Sequence, residues 1–256
     1  MSHHLVAAER LSYSYPDGTR ALSEVSFRIV HGESVAVVGA NGAGKSTLLL
    51  HLNGALLPQE GRVVIGDLPV TRGTLREVRR SVGMVFQDPD DQLFLPTVRD
   101  DVAFGPLNLG LSHEEASARV DAALAATGIP HLAGKPPYRL SAGEKRRAAI
   151  ATVLALSPGV LVLDEPTTGL DPRGRRQLIE LLSGFTHTKI LATHDLELVL
   201  SLCRRTIVLE SGRVVADGPT AEVFADEGLL LSSGLERPAS LSPCPRCGAS
   251  GKPGAS

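Results

Sequence analysis

The chain has 256 residues, of which 43% are hydrophobic and 21% charged, with a formal net charge of -2. A chain of this length buries roughly 70% or more of the surface its unfolded form exposes and needs no disulfide or metal staple, while the near-balanced charge excludes the strongly basic face that a nucleic-acid partner requires. Three unevenly placed cysteines (Cys203, Cys244, Cys247) exclude a disulfide framework and fit a reducing cytosol.

The N-terminal residues MSHHLVAAER lack the apolar core of a signal peptide. Residues 5–15 and 25–30 read as β-rich runs, separated by turn chemistry at Pro16, Asp17 and Gly18. Residues 34–38 are a continuous apolar strand ending at Gly39, and residues 45–52 read as a helix that starts directly after a glycine-rich turn. Strands follow at 63–65 and 82–86, then three helices at 98–109, 112–127 and 141–156, the second opened by a Ser112/Glu115 capping box. Residues 160–163, 189–193 and 206–210 resume the buried-strand pattern with helical sequence between them, as in a parallel sheet with crossover helices. Ser211 and Gly212 turn the chain into residues 213–216. The most apolar stretch, residues 148–163, is broken by Ser157, Pro158 and Gly159 before it reaches the ~18 residues of a membrane span, so any membrane role is expected to be peripheral. Residues 1–234 are expected to form one domain, with a helical sub-domain at about 90–157 inserted in an α/β core. From about residue 235 Pro, Ser, Gly and Ala dominate, which predicts a disordered tail over 235–256.

Two segments carry chemistry. Residues 39–47 read GANGAGKST, with Gly39, Gly44, Lys45 and Ser46 in the fixed positions of a phosphate loop. Glycines let successive backbone N-H groups converge on phosphate, and the following helix adds the positive end of its dipole. Lys45 is placed to neutralise the β and γ phosphates of ATP, and Ser46 to ligate Mg²⁺; Asn41, Gly42 and Thr47 complete the loop. Residues 161–166 read LVLDEP: an apolar strand delivers Asp164 and Glu165 to its carboxyl end, Asp164 as a Mg²⁺ holder and Glu165 as general base for the attacking water. Gln87 and His194 each follow a strand and would project toward the same crevice; taken alone, a strand-end histidine is more often a cap or surface residue.

Residues 140–147 read LSAGEKRR, placed before a helix and upstream of LVLDEP, and this resembles the signature motif of the ABC ATPases. The resemblance covers about residues 5–222. It implies a P-loop NTPase of α/β class, with a RecA-like parallel sheet core, an antiparallel β sub-domain and a helical signature sub-domain. It also makes Gln87 similar to the glutamine that serves metal and water, residues 169–172 (GLDP, with Asp171) to the D-loop, His194 to the switch histidine, and Tyr15 to the adenine-stacking aromatic. In that family a second ATPase chain, identical or related, closes head to tail, so Ser141, Gly143 and Glu144 of one chain would complete the ATP site of the other. The chain departs from the commonest signature, LSGGQ, at Ala142 and Glu144: Ala142 keeps its backbone N-H, and the effect of the Glu144 carboxylate does not follow from sequence.

Residues 87–94 (QDPDDQLF) and 97–111 (TVRDDVAFGPLNLGL) resemble the ATPases of energy-coupling-factor and of cobalt or nickel uptake systems. The resemblance implies a peripheral subunit on the cytoplasmic face of the membrane, docked beneath a transmembrane coupling protein that works with a substrate-binding membrane subunit. Asp90 and Asp91 would be available to basic coupling helices, a solvated loop face being the alternative. The solute (cobalt, nickel or a vitamin) is not encoded in an ATPase that touches only nucleotide and coupling helices. The alternative function is a soluble ABC ATPase uncoupled from transport. Cys244 and Cys247 form one CxxC where a structural zinc site needs four ligands, which leaves an adventitious thiol pair or a shared metal site open. His3 and His4 have an equally bland reading, and Cys203 reads as a small buried apolar group.

Overall fold

The computed structural model describes residues 6–241. Two sheets enclose the first apolar core. The smaller is antiparallel, in the order β2-β1-β4-β5, from β1 (Val6–Ser14), β2 (Arg20–Ile29), β4 (Glu60–Ile65) and the two-residue β5 (Leu68–Pro69). The larger runs β10-β9-β3-β8-β7-β6, from β3 (Ser34–Val38), β6 (Val82–Val85), β7 (Val160–Asp164), β8 (Thr188–Ala192), β9 (Arg205–Glu210) and β10 (Arg213–Pro219). Its strands pair in parallel except at the edge, where β10 turns back antiparallel on β9. The central strands are apolar on both faces because both are covered. Along β3, Val35 and Val37 enter the core shared with the antiparallel sheet, while Ala36 and Val38 enter a second core on the opposite face, as the two-residue period requires. The third core lies among α3 (Val98–Asn108), α4 (His113–Ala126) and α5 (Ala142–Leu154) and is built on Val98, Val102, Leu124, Ile129 and Ala148.

Helix starts are fixed by local chemistry. Thr97 accepts a hydrogen bond from Asp100 N at the head of α3, and the Ser112/Glu115 capping box opens α4. The helix after the phosphate loop, α1 (Lys45–Leu52), begins at Gly44, whose φ of 102° is left-handed and whose Cβ, if it had one, would lie 2.5 Å from Ala21 O. Only glycine fits there.

Periodicity left several elements unmarked, among them the short helices Thr220–Ala225 and Glu227–Ser232. In α2 (Leu75–Ser81) Val78 is the one buried residue, so no apolar repeat marks it, and β5 is too short to show alternation. The first residues of the expected tail are packed against the domain. Leu235 is buried in the second core, and Ser240 donates from its backbone N and its hydroxyl to the two Glu197 carboxylate oxygens at 2.9 and 2.8 Å, so residues 235–241 are ordered. The remainder of that segment, with Cys244 and Cys247, lies outside the described residues, as do His3 and His4. Cys203 is buried, and burial pushes its thiol up to about 12, which fits an inert packing group.

Candidate nucleotide-hydrolysis site

The carboxyl ends of β3, β6, β7 and β8 open on one side of the larger sheet, where ligands bind in open α/β folds. A cavity of about 560 Å³ there is lined by Tyr15, Asn41, Gly42, Gly44, Lys45, Ser46, Thr47, Gln87, Glu165 and His194. Ten of the residues singled out in the sequence thus share one wall. Thr19, Arg20, Ala21 and Thr168 join them without having been singled out, because none belongs to a recognisable motif. Tyr15 is held by a hydrogen bond between its hydroxyl and Thr47 Oγ1 at 3.0 Å and by edge-on packing on Tyr13.

Lys45 is 6% exposed. Its Nζ donates to Gly39 O at 2.8 Å and Ala40 O at 3.1 Å and lies 3.9 Å from Glu165 Oε1. Gly39 therefore stands behind the cavity wall and anchors the lysine. Glu165 sits at φ 41°, a left-handed conformation costly for a residue with a Cβ, and its N-H donates to Ala192 O at 2.8 Å, which holds it there. Its carboxylate accepts from Thr193 Oγ1 at 3.0 Å and from His194 Nδ1 at 2.9 Å. A carboxylate can only accept, so Nδ1 carries the imidazole proton. Thr193 and His194 are adjacent at the end of β8, which is why one strand end grips Glu165 twice. Thr193 was missed because a threonine before a histidine matches no spacing rule.

Asp164 lies beneath the cavity rather than on its wall, 5% exposed, with Oδ1 buried and unpartnered. Burial raises its carboxyl above the usual range, with the Ser46 hydroxyl acting in the opposite sense. An unpartnered buried carboxylate oxygen beside a serine hydroxyl fits a hard, oxygen-seeking cation. Against the unfolded chain, a raised carboxyl costs nothing at pH values below the ordinary carboxylate range; the cost grows as pH rises toward the raised value and is complete above it. Asp164→Asn is therefore expected to raise Tm at pH 7 without divalent cation by about 2–4 °C and to abolish the further rise that ATP with Mg²⁺ gives the unmutated chain. A calorimetric scan with and without Mg²⁺ checks both.

The signature residues do not reach this cavity. Ser141, Gly143 and Glu144 line a second one of about 450 Å³ with Arg147, Gly169, Asp171, Arg173 and Gln177. Ser141 caps α5. Glu144, whose role sequence left open, closes a capping box: its Oε2 accepts from Ser141 N at 2.8 Å and from the Ser141 hydroxyl at 2.7 Å, and these bonds hold its carboxyl below the usual range. Asp171 caps α6 (Pro172–Ser183), accepting from Gly174 N at 2.6 Å. Residues 165–171 join the two cavities, with Thr168 on the wall of the first and Gly169 on the wall of the second.

The architecture and the first cavity define a phosphate-loop nucleotide hydrolase, and comparison with known proteins specifies which. The sequence profile of the ABC transporter family matches residues 22–168. The cobalt import ATP-binding protein CbiO of Rhodobacter capsulatus is 51% identical, over 91% of this chain and 85% of its own length. The energy-coupling factor transporter ATP-binding protein EcfA of Methanocaldococcus jannaschii is 46% identical, over 92% of this chain and 86% of its own. Among solved structures, cbiO1 of Clostridium perfringens, described as part of the ABC transporter complex cbiONQ, matches with a TM-score of 0.78 and 44% identity, covering 90% of this chain and 94% of that one. The chain belongs to the ABC transporter ATP-binding family, in its energy-coupling-factor branch. It is an ATP-binding subunit whose hydrolysis is coupled to transport. Among the described residues no helix is long and apolar enough to cross a membrane.

Proposed function

We propose that the chain is the ATPase of an energy-coupling-factor importer that works as a pair of cassettes on the inner face of a membrane. One observation carries the pairing: a single chain bears two separate phosphate-competent cavities joined by residues 165–171. Tyr15, the residue 39–47 loop and Lys45 bind ATP in the first. The second offers the Ser141 hydroxyl, the amino ends of α5 and α6, and Arg147 and Arg173 to the nucleotide of a partner chain. One nucleotide between two such surfaces favours the closed pair, and hydrolysis releases it. In the first cavity Glu165 takes the proton from the attacking water, His194 holds Glu165 and faces the γ phosphate, and Gln87 orients the water. Ser46, Asp164 and Gln87 would hold Mg²⁺, which when bound neutralises charge on the β and γ oxygens.

A membrane partner fits at the segment after Gln87. There Phe94 and Phe104, 63% and 45% exposed and packed edge to face at 5.2 Å, stand over a groove of about 250 Å³ that Asp91 and Asp101 also line. Asp90 is engaged by Lys145 at 2.6 Å, which leaves Asp91 as the acidic group offered to a basic coupling helix. The cobalt import name of the Rhodobacter capsulatus relative supports a transition-metal cation as cargo; a vitamin is the other class that the resemblance to energy-coupling-factor systems implies.

Co-expression with the transmembrane coupling and substrate-binding subunits of an energy-coupling-factor system tests the whole reading. Co-purification of a stable complex whose ATPase rate rises with solute uptake is expected, whereas an ATPase recovered alone at full rate would support the soluble alternative. Ser141→Arg is expected to leave ATP binding by the single chain within about twofold while abolishing ATP-dependent pairing, because a bulky cation replaces the hydroxyl of the second cavity. Light scattering with and without ATP reads this directly.

A further inference from the structure

Arg146 lies two residues beyond Glu144 on α5 and is 3% exposed. Its Nη1 donates to Phe86 O at 2.8 Å and its Nη2 to Gln87 O at 2.7 Å, the two residues that carry the chain out of β6. Its Nε is buried without a partner, and its charge faces Asp88 and Asp164. A buried guanidinium held by two carbonyls is expensive as a mere fold stabiliser, since an apolar side chain of similar volume would serve the core at least as well. What the fork supplies is direction, because its two donors fix two successive carbonyls in one orientation.

Two further ties bind the same segment to the same helix. Gln92 Nε2 donates to Ala149 O at 2.9 Å and to Thr152 Oγ1 at 2.6 Å while its Oε1 accepts from Phe86 N at 3.3 Å, and Lys145 holds Asp90. Residues 86–92 therefore follow α5. That helix begins at Ser141 on the wall of the second cavity, whereas Gln87 lines the first.

We propose that Arg146 is a positioning residue that makes the placement of Gln87 in one nucleotide cavity depend on the seating of α5 against the partner chain's nucleotide. The two sites of a pair are then coupled through each chain's own α5. This rests on the pairing and on the role given to Gln87 above.

The experiment is a double-mutant cycle of Arg146→Met and Gln87→Ala in the full chain, with Arg146→Lys as the conservative variant. Methionine fills the volume without donors. Arg146→Met is expected to lower kcat about thirtyfold, the scale of a single lost charge-assisted hydrogen bond, and to bring the Hill coefficient for ATP to about 1 with KM within about twofold. In the Gln87→Ala background it should cost less than about twofold more, and Arg146→Lys, which keeps a cationic donor group without the planar fork, should recover part of the rate. A purely structural role predicts instead a fall in kcat that tracks the folded fraction, with cooperativity kept. Losses that multiply in the double variant overturn the tie to Gln87 while leaving Gln87's own role standing. A Gln87→Ala variant with unchanged kcat overturns both. If Arg146→Met does not fold, unaltered kcat and cooperativity in Arg146→Lys overturn the proposal, and a reduced Hill coefficient in that variant sustains it.

Discussion

Glu165→Gln is expected to bind ATP with affinity within about twofold of the unmutated chain, to lose about a thousandfold in kcat, and to accumulate as an ATP-bound pair. The substitution is close to isosteric, and the environment of Glu165 can receive it. Thr193 Oγ1 can still donate to the amide oxygen, and His194 can move its proton from Nδ1 to Nε2 so that Nδ1 accepts from the amide N-H. The left-handed backbone at Glu165 is fixed by its N-H bond to Ala192 O, which does not involve the side chain. What is lost is the only function an amide cannot supply, acceptance of a proton from water, and general bases contribute about 10²–10⁴ in rate. With hydrolysis blocked, the step that separates the pair no longer occurs. Single-turnover ATP cleavage and light scattering on the same sample measure both halves. Hydrolysis at an undiminished rate would remove Glu165 from the role of base.

Lys45→Ala should act on the other half of the cycle, weakening ATP binding by about a hundredfold or more. Lys45 is the cation of a cleft that also contains Glu165 and, beneath it, Asp164. Truncation removes the partner for the β and γ phosphates and exposes the incoming triphosphate to two carboxylates, of which only Asp164 keeps a neighbouring cation, Arg146. Charge-assisted hydrogen bonds are worth about 1.5–3 kcal/mol each, so two of them correspond to the expected factor. Lys45 also holds Gly39 O and Ala40 O, so truncation frees two loop carbonyls, and a thermal scan shows whether the fold tolerates that. Titration with a fluorescent ATP analogue gives the affinity and a thermal scan the stability; an unchanged Kd would place the phosphates elsewhere.

Much of this site is legible residue by residue because its parts are local. The residue 39–47 loop is a strand, a turn that only glycine can make and a helix start, all within ten positions, so composition and spacing suffice to place Lys45, Ser46 and Gly44. Asp164 and Glu165 are equally readable as the end of a five-residue apolar strand. The strands and helices found by periodicity match the structure within a few residues, whereas α2, where a single valine is buried, and the six-residue helices Thr220–Ala225 and Glu227–Ser232 are too short or too sparsely apolar to show a repeat. Composition misreads residues 235–241 for a related reason: Leu235 and Ser240 are ordered by one core contact and one carboxylate, and composition averages over both.

The sequence by itself determined the chemistry of this protein, nucleotide binding and hydrolysis, because each motif carries its own geometry in the backbone conformations its residues allow. The tertiary structure alone decided which motifs act together. It separates Ser141 and Glu144 from Lys45 by placing them on two cavities, and it turns Glu144 into the closing member of a capping box. It brings Thr193 and His194 onto Glu165, and it clamps Gln87 to α5 through Arg146. These contacts join residues 28 to 59 positions apart. No local preference specifies such pairings; they arise only when strands order themselves in a sheet and their loops meet at one edge.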